Sequence, residues 1–296
     1  MGGIKENIIH KYGVLYRAMI KDDYTYVMGK DVKVYRSKTG DLIASLKDLR
    51  HPGCLSPIGD HSLLVKNTSG LYCLYDTQSF TLQHKFRKPP SRDPQDSDFV
   101  FSRDGENIID IFNNFPRQYL MQIHIKTGVY QIKELHGIVC PRLFFDEKNK
   151  HYVMVSSTIK DSLYEQHLVI SIFSGFDGEI NEIARIYSPY NHSIDYKRGV
   201  LVYTESERIC MYDTMTKKTS FFTFSVKGLV SCVRLSQNDK YIVLTQKNRV
   251  QVYEVHTGLC LKKYDIEYGC FADFCDNDTK LFIGTWEKGY LISLFD

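Results

Sequence analysis

VRLSQNDKYIVLTQKNRVQVYEVHTGLCLKKY (233–264) alternates four β-prone runs with three polar turns. The runs are VRL, YIVLT, RVQVYEV and LCLKKY, rich in the β-branched and aromatic side chains that suit a pleated surface. The first turn holds Asn238 and Asp239, which bond their own backbone locally. The last holds Gly258, which accepts a positive φ without steric cost. No helical spacing of apolar residues competes with this pattern. The stretch predicts one four-stranded antiparallel unit.

The same unit recurs along the chain. Its second hairpin returns in VKVYRSKTGDLIASL (32–46), LYCLYDTQSFTLQHKF (71–86), YLMQIHIKTGVYQIKEL (119–135), LVISIFSGFDGEINEIARI (168–186) and RICMYDTMTKKTSFFTF (208–224). Its first hairpin returns in MIKDDYTYVMG (19–29), LSPIGDHSLLVK (55–66), FVFSRDGENIIDIF (99–112), LFFDEKNKHYVMVS (143–156), IDYKRGVLVYT (194–204) and DFCDNDTKLFIGT (273–285). The residues closing the third strands are Arg36, Asp76, His124, Ser174, Asp213, Glu254 and Asp296, separated by 40, 48, 50, 39, 41 and 42 positions. The two long intervals contain RKPPSRDPQDSD (87–98) and SSTIKDSLYEQ (156–166), read as insertions.

A period near forty residues with four strands per unit predicts an all-β fold, a seven-bladed β-propeller of four-stranded antiparallel blades. The blades are expected at 14–50, 51–98, 99–139, 140–191, 192–230, 231–268 and 269–296, in a single domain over 1–296. The last unit, ending GYLISLFD (289–296), lacks a fourth strand. Residues 6–13, ENIIHKYG, are expected to supply it, so that an N-terminal strand joins the last blade and closes an open sheet edge. A β-sandwich or two smaller domains would not predict so sustained a period.

The strand order, turn placement and period resemble the WD-repeat family. The step that the family fills with Trp-Asp reads Tyr75-Asp76, Tyr212-Asp213, Tyr253-Glu254 and Phe295-Asp296, an aromatic followed by an acid. Tyr35-Arg36, Ile123-His124 and Phe173-Ser174 depart from it, and Trp286 lies outside this step. The resemblance implies that these positions pack the blade and brace its turns. It does not select a function, because propellers of this kind host many.

Composition narrows the field. Apolar residues are 43% of the chain, enough for a large core, and 38 Lys and Arg stand against 35 Asp and Glu, a net charge of +3. That excess does not by itself point to nucleic acid or a membrane surface. No run approaches the roughly 18 apolar residues of a membrane helix. The opening MGGIKENIIHKYG has no apolar core of signal-peptide length, so a cytoplasmic protein with no membrane partner is expected. The eight cysteines form no C-x-x-C pair and mostly sit in apolar runs, as buried free thiols would.

In a blade of this kind, the loops between strands two and three share a face with the loops between blades. Both insertions, 87–98 and 156–166, fall on that face. Between them the loop FNNFPRQ (112–118) offers Phe112, Phe115 and Arg117, the aromatic and Arg anchors that carry interface energy. Pro89, Pro90 and Arg92 in the first insertion, Tyr164 in the second and Trp286 in a corresponding loop of blade 7 extend the candidate partner-binding set. The expected function is a non-catalytic scaffold for a protein or peptide partner.

Two alternatives stay open. One is a small-molecule or enzymatic site at the channel mouth, near Asp23, Asp98, Asp195 or Asp273. The other is RNA or single-stranded nucleic acid on a basic set of Lys30, Arg50, Lys66, Arg87, Lys88, Arg117, Lys227 and Lys247, diluted by acids. No catalytic signature such as H-E-x-x-H, G-x-S-x-G or a phosphate-binding loop occurs, so no catalytic residue and no cofactor are assigned. His51, His136 and His192 occupy similar places in three blades, too far apart for one ion, and no metal site is assigned.

Overall fold

The structure is a computed structural model that describes residues 7–95, 97–159, 166–187, 193–205, 208–222 and 226–295. Among these residues there is no helix, and the strands form seven four-stranded antiparallel sheets, the blades of a β-propeller. No helix of the described residues is therefore long and apolar enough to cross a membrane. The chain divides into two compact units, residues 46–188 and residues 1–45 with 189–296.

The first unit holds three blades. Blade 2 runs through β6 (Pro52–Ile58), β7 (Ser62–Asn67), β8 (Leu71–Asp76) and β9 (Leu82–Arg87). Blade 3 is β10 (Val100–Phe101), β11 (Asn107–Asn114), β12 (Arg117–His124) and β13 (Tyr130–Leu135). Blade 4 is β14 (Val139–Asp146), β15 (His151–Ile159), β16 (Gln166–Phe173) and β17 (Asn181–Tyr187). The insertion expected inside blade 4 is partly strand, since β15 and β16 pair out to Ile159 and Gln166. Leu64, Tyr72 and Phe86 of blade 2 pack on Ile108, Met121 and Ile123 of blade 3. Ile109, Ile111 and Leu120 meet Leu143, Tyr152 and Met154 of blade 4.

The second unit holds blade 1, with β2 (Arg17–Lys21), β3 (Tyr24–Met28), β4 (Val32–Arg36) and β5 (Leu42–Leu46). It also holds blade 5, with β18 (Ile194–Lys197), β19 (Val200–Glu205), β20 (Arg208–Asp213) and β21 (Lys218–Phe221). Blade 6 is β22 (Val230–Leu235), β23 (Tyr241–Gln246), β24 (Arg249–Glu254) and β25 (Cys260–Asp265). Blade 7 combines β26 (Gly269–Cys275), β27 (Lys280–Thr285) and β28 (Gly289–Ser293) with β1 (Ile8–Tyr12). The expected closure is present: β1 pairs antiparallel with β28, Ile8 opposite Ile292 and Tyr12 opposite Gly289.

Position within a blade explains the sequence pattern. Second strands such as β7, β23 and β27 are buried at every residue after the first, because both their faces are covered. They read as unbroken apolar runs rather than alternating ones. The outermost β21 is exposed at all four residues. The acid closing a third strand braces the following turn: Asp76 Oδ1 accepts Gln78 N at 3.0 Å and Ser79 N at 2.7 Å, and Asp213 Oδ1 accepts Met215 N at 2.8 Å and Thr216 N at 2.9 Å.

Neighbouring blades of the second unit are tied at intervals of one repeat. Ser193 Oγ accepts Val233 N and Asp195 Oδ2 accepts Leu235 N, both at 2.9 Å and both 40 residues apart. The Asp278 carboxylate accepts Gln237 N and Asn238 N at 2.9 Å. The eight cysteines are unpaired, and Cys54, Cys73, Cys210, Cys232 and Cys275 are buried.

Candidate interaction surface

The 87–98 insertion begins where β9 ends, and its first inward residue is Lys88. Its backbone N–H donates to Gly70 O at 2.9 Å, and its stem lies against Gly70, where a Cβ would come within 3.1 Å of it. Further on, Gln95 N donates to Thr68 O at 2.7 Å. The loop then grips the β11–β12 hairpin. Ser91 Oγ and Gln95 Nε2 each donate to Asn113 O at 2.8 Å, Asn113 N donates to Gln95 Oε1 at 3.2 Å, and Asn113 Nδ2 donates to Pro94 O at 2.9 Å. Phe115 N donates to the Asp93 carboxylate. An insertion with little apolar content is thus held by polar bonds to a hairpin turn, as long loops need if they are to keep one shape.

These bonds surround an open cleft of about 350 Å³ lined by Asp93, Pro94, Asn113, Phe115, Pro116, Arg117, Gln118, Ile138 and Val139. Phe115 is 85% exposed, more than any other large apolar side chain described. The Phe115–Pro116 peptide is cis. Arg117 is exposed and stands 3.4 Å from Glu134, whose other oxygen is 3.6 Å from His136 Nδ1.

The candidate residues separate as follows. Phe115 and Arg117 lie on the cleft, Pro90 and Arg92 are exposed on the adjoining loop, and Pro89 is half-buried. Phe112 corrects the expectation that it belongs to the loop. β11 continues to Asn114, and Phe112 is 4% exposed, packed with Tyr119 and the blade 2–3 core. As part of a second strand covered on both faces its ring is buried, while Phe115 falls in the two-residue turn between β11 and β12 and points to water. Tyr164 and His192 lie outside the described residues.

Trp286 belongs to the other unit, in the turn after β27. It is 68% exposed, and its backbone N–H donates to Tyr268 O at 3.3 Å. Lys247 Nζ stands 5.5 Å from the Tyr268 ring.

Beneath the insertion lies a charged cluster that the loop reading missed. Lys66 and Lys88, expected on the surface as part of a basic set, are both buried, which removes them from any phosphate-binding face. The side chains of Lys66, Lys88 and Asp110 have no solvent exposure. Lys66 Nζ is 2.8 Å and Lys88 Nζ 3.0 Å from the same Asp110 Oδ2, which also accepts the Tyr72 hydroxyl. Asp110 Oδ1 accepts Ser97 Oγ at 2.9 Å and Ile111 N at 2.6 Å. Lys66 also donates to Ser97 O, and Lys88 to Ile111 O and, at 3.4 Å, to Gln95 Oε1.

Burial pushes Lys88 down to about 7 against the pull of Asp110, and Lys66 pushes the same way as burial. Burial would raise Asp110, but the two lysines outweigh it and hold the carboxyl below its usual range. Burial and the Asp110 charge raise the Tyr72 phenol well above its ordinary value. A signal was present in the sequence: Lys66 in SLLVKN and Asp110 in NIIDIFNN are charges inside second strands, which are buried on both faces. Two strands of neighbouring blades carrying opposite charges at such positions are candidates for a buried pair.

Two of the four acids considered for a channel site, Asp195 and Asp273, lie near bases of first strands. Asp273 lies 3.9 Å from Lys197 and 3.8 Å from Arg234, and Lys197 is also 4.0 Å from Asp195. Burial raises Asp273 above the usual carboxylate value, with Lys197 and Arg234 opposing. Of the histidines, His51 has a φ of 53° with its carbonyl accepting Thr68 N at 3.2 Å, and His136 is exposed beside Glu134. Among known proteins, no family model matches the chain and no curated protein matches it.

Proposed function

We propose that the chain is a non-catalytic interaction scaffold that binds a peptide segment of a protein partner at the cleft between the 87–98 loop and the β11–β12 hairpin. One observation carries this reading: Phe115 is 85% exposed, yet its own N–H and that of Asn113, two residues before it, are held by hydrogen bonds to the insertion. A large ring kept in water on a rigid support is the arrangement that recognition favours, since little ordering entropy is lost on binding. Pro94, Pro116, Ile138 and Val139 supply apolar walls.

The charges select among peptides. Asp93 is engaged by Phe115 N and Glu134 by Arg117 and His136, while Arg87 and Arg92 are exposed on the loop. The partner segment is therefore an apolar or aromatic residue flanked by carboxylates. The aromatic–acid steps and the turn-bracing of Asp76 and Asp213 support kinship with WD-type repeats. The buried free thiols suit a reducing, cytoplasmic setting.

Panning a displayed random-peptide library against the full chain tests the reading, with Phe115→Ser protein as the counter-target. Peptides with an apolar anchor beside Asp or Glu are expected, bound at least about 30-fold more weakly by Phe115→Ser, the loss of one energetic centre. Selected peptides that bind the variant equally well would remove this cleft as the site.

A further inference from the structure

The loop that shapes the cleft is anchored by a buried group with one more base than acid. Lys66 from β7 and Lys88 from the loop base converge on one oxygen of Asp110 from β11, with no exposure at any of the three side chains. Tyr72 from β8 adds its hydroxyl, Cys54 from β6 lies near Tyr72, and the Phe99 ring centroid is 6.0 Å from Lys66 Nζ. Among the described residues, Asp110 is the carboxylate within ion-pair distance of the two lysines. Two ammoniums and one carboxylate leave a surplus positive charge away from water, and such a charge is relieved by releasing a proton.

We propose that the Lys66–Lys88–Asp110 cluster is a proton-operated clamp on the loop that follows β9, which closes firmly when Lys88 gives its proton to solvent and loosens when the proton returns. The mechanical link is direct. Lys88 is part of the loop, its Nζ bonds Ile111 O and reaches Gln95, and Gln95 holds Asn113 at the root of the Phe115 turn. Lys66 holds the other end of the loop through Ser97 O. Opening the loop carries Lys88 into water, where it regains an ordinary lysine affinity for a proton of about 10.4.

The sign follows from linkage. Lys88 in the closed loop has its value pushed down to about 7 by burial. Between that value and about 10.4 the open loop binds one proton more than the closed loop. Opening is therefore suppressed about tenfold for each pH unit of rise in that window. Below pH about 7 both forms carry the proton and opening no longer depends on pH. That the clamp regulates recognition rests on the cleft being a peptide site. The clamp itself needs no ligand for its test.

Hydrogen exchange of the Gln95 and Asn113 amides, corrected for intrinsic exchange, reads the opening directly. Protection is expected to rise about tenfold per pH unit between pH 7.5 and 9 and to be flat from 5.5 to 6.5. Lys88→Met, which keeps a long apolar stem, is expected to abolish the slope. Should that variant not fold, the wild-type lysines labelled at Cε and followed by NMR give the same answer, with one lysine expected to titrate near neutral pH. Every lysine titrating above pH 9.5, or an unchanged slope in Lys88→Met, would overturn the clamp. A pH-dependent loop combined with peptides that ignore Phe115→Ser would leave the clamp standing and sink the peptide site alone.

Discussion

Asp110 gathers two lysines, a phenol, a hydroxyl and a backbone amide onto one buried carboxylate. Its two oxygens accept from Lys66, Lys88, Tyr72, Ser97 and the Ile111 amide. Replacing it by Asn keeps the volume but leaves two buried ammoniums without a counter-charge. A loss of about 3–5 kcal/mol is expected, measured by urea unfolding at pH 6, because breaking a buried pair leaves uncompensated charge. Its folded value lies below the unfolded one of about 3.9. Its contribution is therefore complete above that unfolded value and is lost as pH falls through the folded one. Asp110→Asn is expected to flatten that part of the acid-unfolding profile. Phe115→Ser should change stability by no more than about 0.5 kcal/mol, since its ring is in water in the folded state as well as the unfolded one. A large drop in melting temperature for Phe115→Ser would mean that the ring is packed.

Among the elements, β1 bears the clearest consequence. Its pairing with β28 joins residues near opposite ends of the sequence, and His10 Nε2 lies 2.9 Å from Ser37 O of blade 1. Removing residues 1–12 uncovers the hydrogen-bonding edge of β28, and exposed edges recruit other chains. Light scattering on the truncated protein is expected to show concentration-dependent association that the full chain lacks. The connection after β1 is equally constrained. A Cβ at Gly284 of β27 would meet Leu15 O at 2.0 Å, so Gly284→Ala forces backbone to move. A cost of about 1–3 kcal/mol or more is expected in thermal or chemical unfolding, as for other overpacked sites.

For the molecule as a whole, the repeat determines how the chain assembles. Adjacent strands pair locally within each blade, but β1 must find β28 across nearly the full sequence. Non-local closure of this kind slows folding, because loop entropy is lost before the contacts form. Stopped-flow refolding is expected to show its main phase in the range of about milliseconds to seconds or slower. Deleting residues 1–12 is expected to speed the remaining phases. An unchanged rate would mean that the terminal strand docks after the limiting step.

The strands, their turns and the closure by residues 8–12 were legible in the linear chain. Apolar runs, turn chemistry and a forty-residue period are local or one-dimensional properties, and they suffice to specify four-stranded antiparallel sheets. The burial of Phe112 was not legible, since β11 runs past it to Asn114 and a second strand is covered on both faces, while Phe115, offered as a loop anchor, falls in the turn that follows. Nor was the fate of Lys88, which read as a surface base, and for Lys66 the place inside a second strand signalled burial without naming the partner. Burial is set by neighbours tens of residues away, and Asp110, 44 positions from Lys66, becomes its partner only when blades 2 and 3 pack face to face.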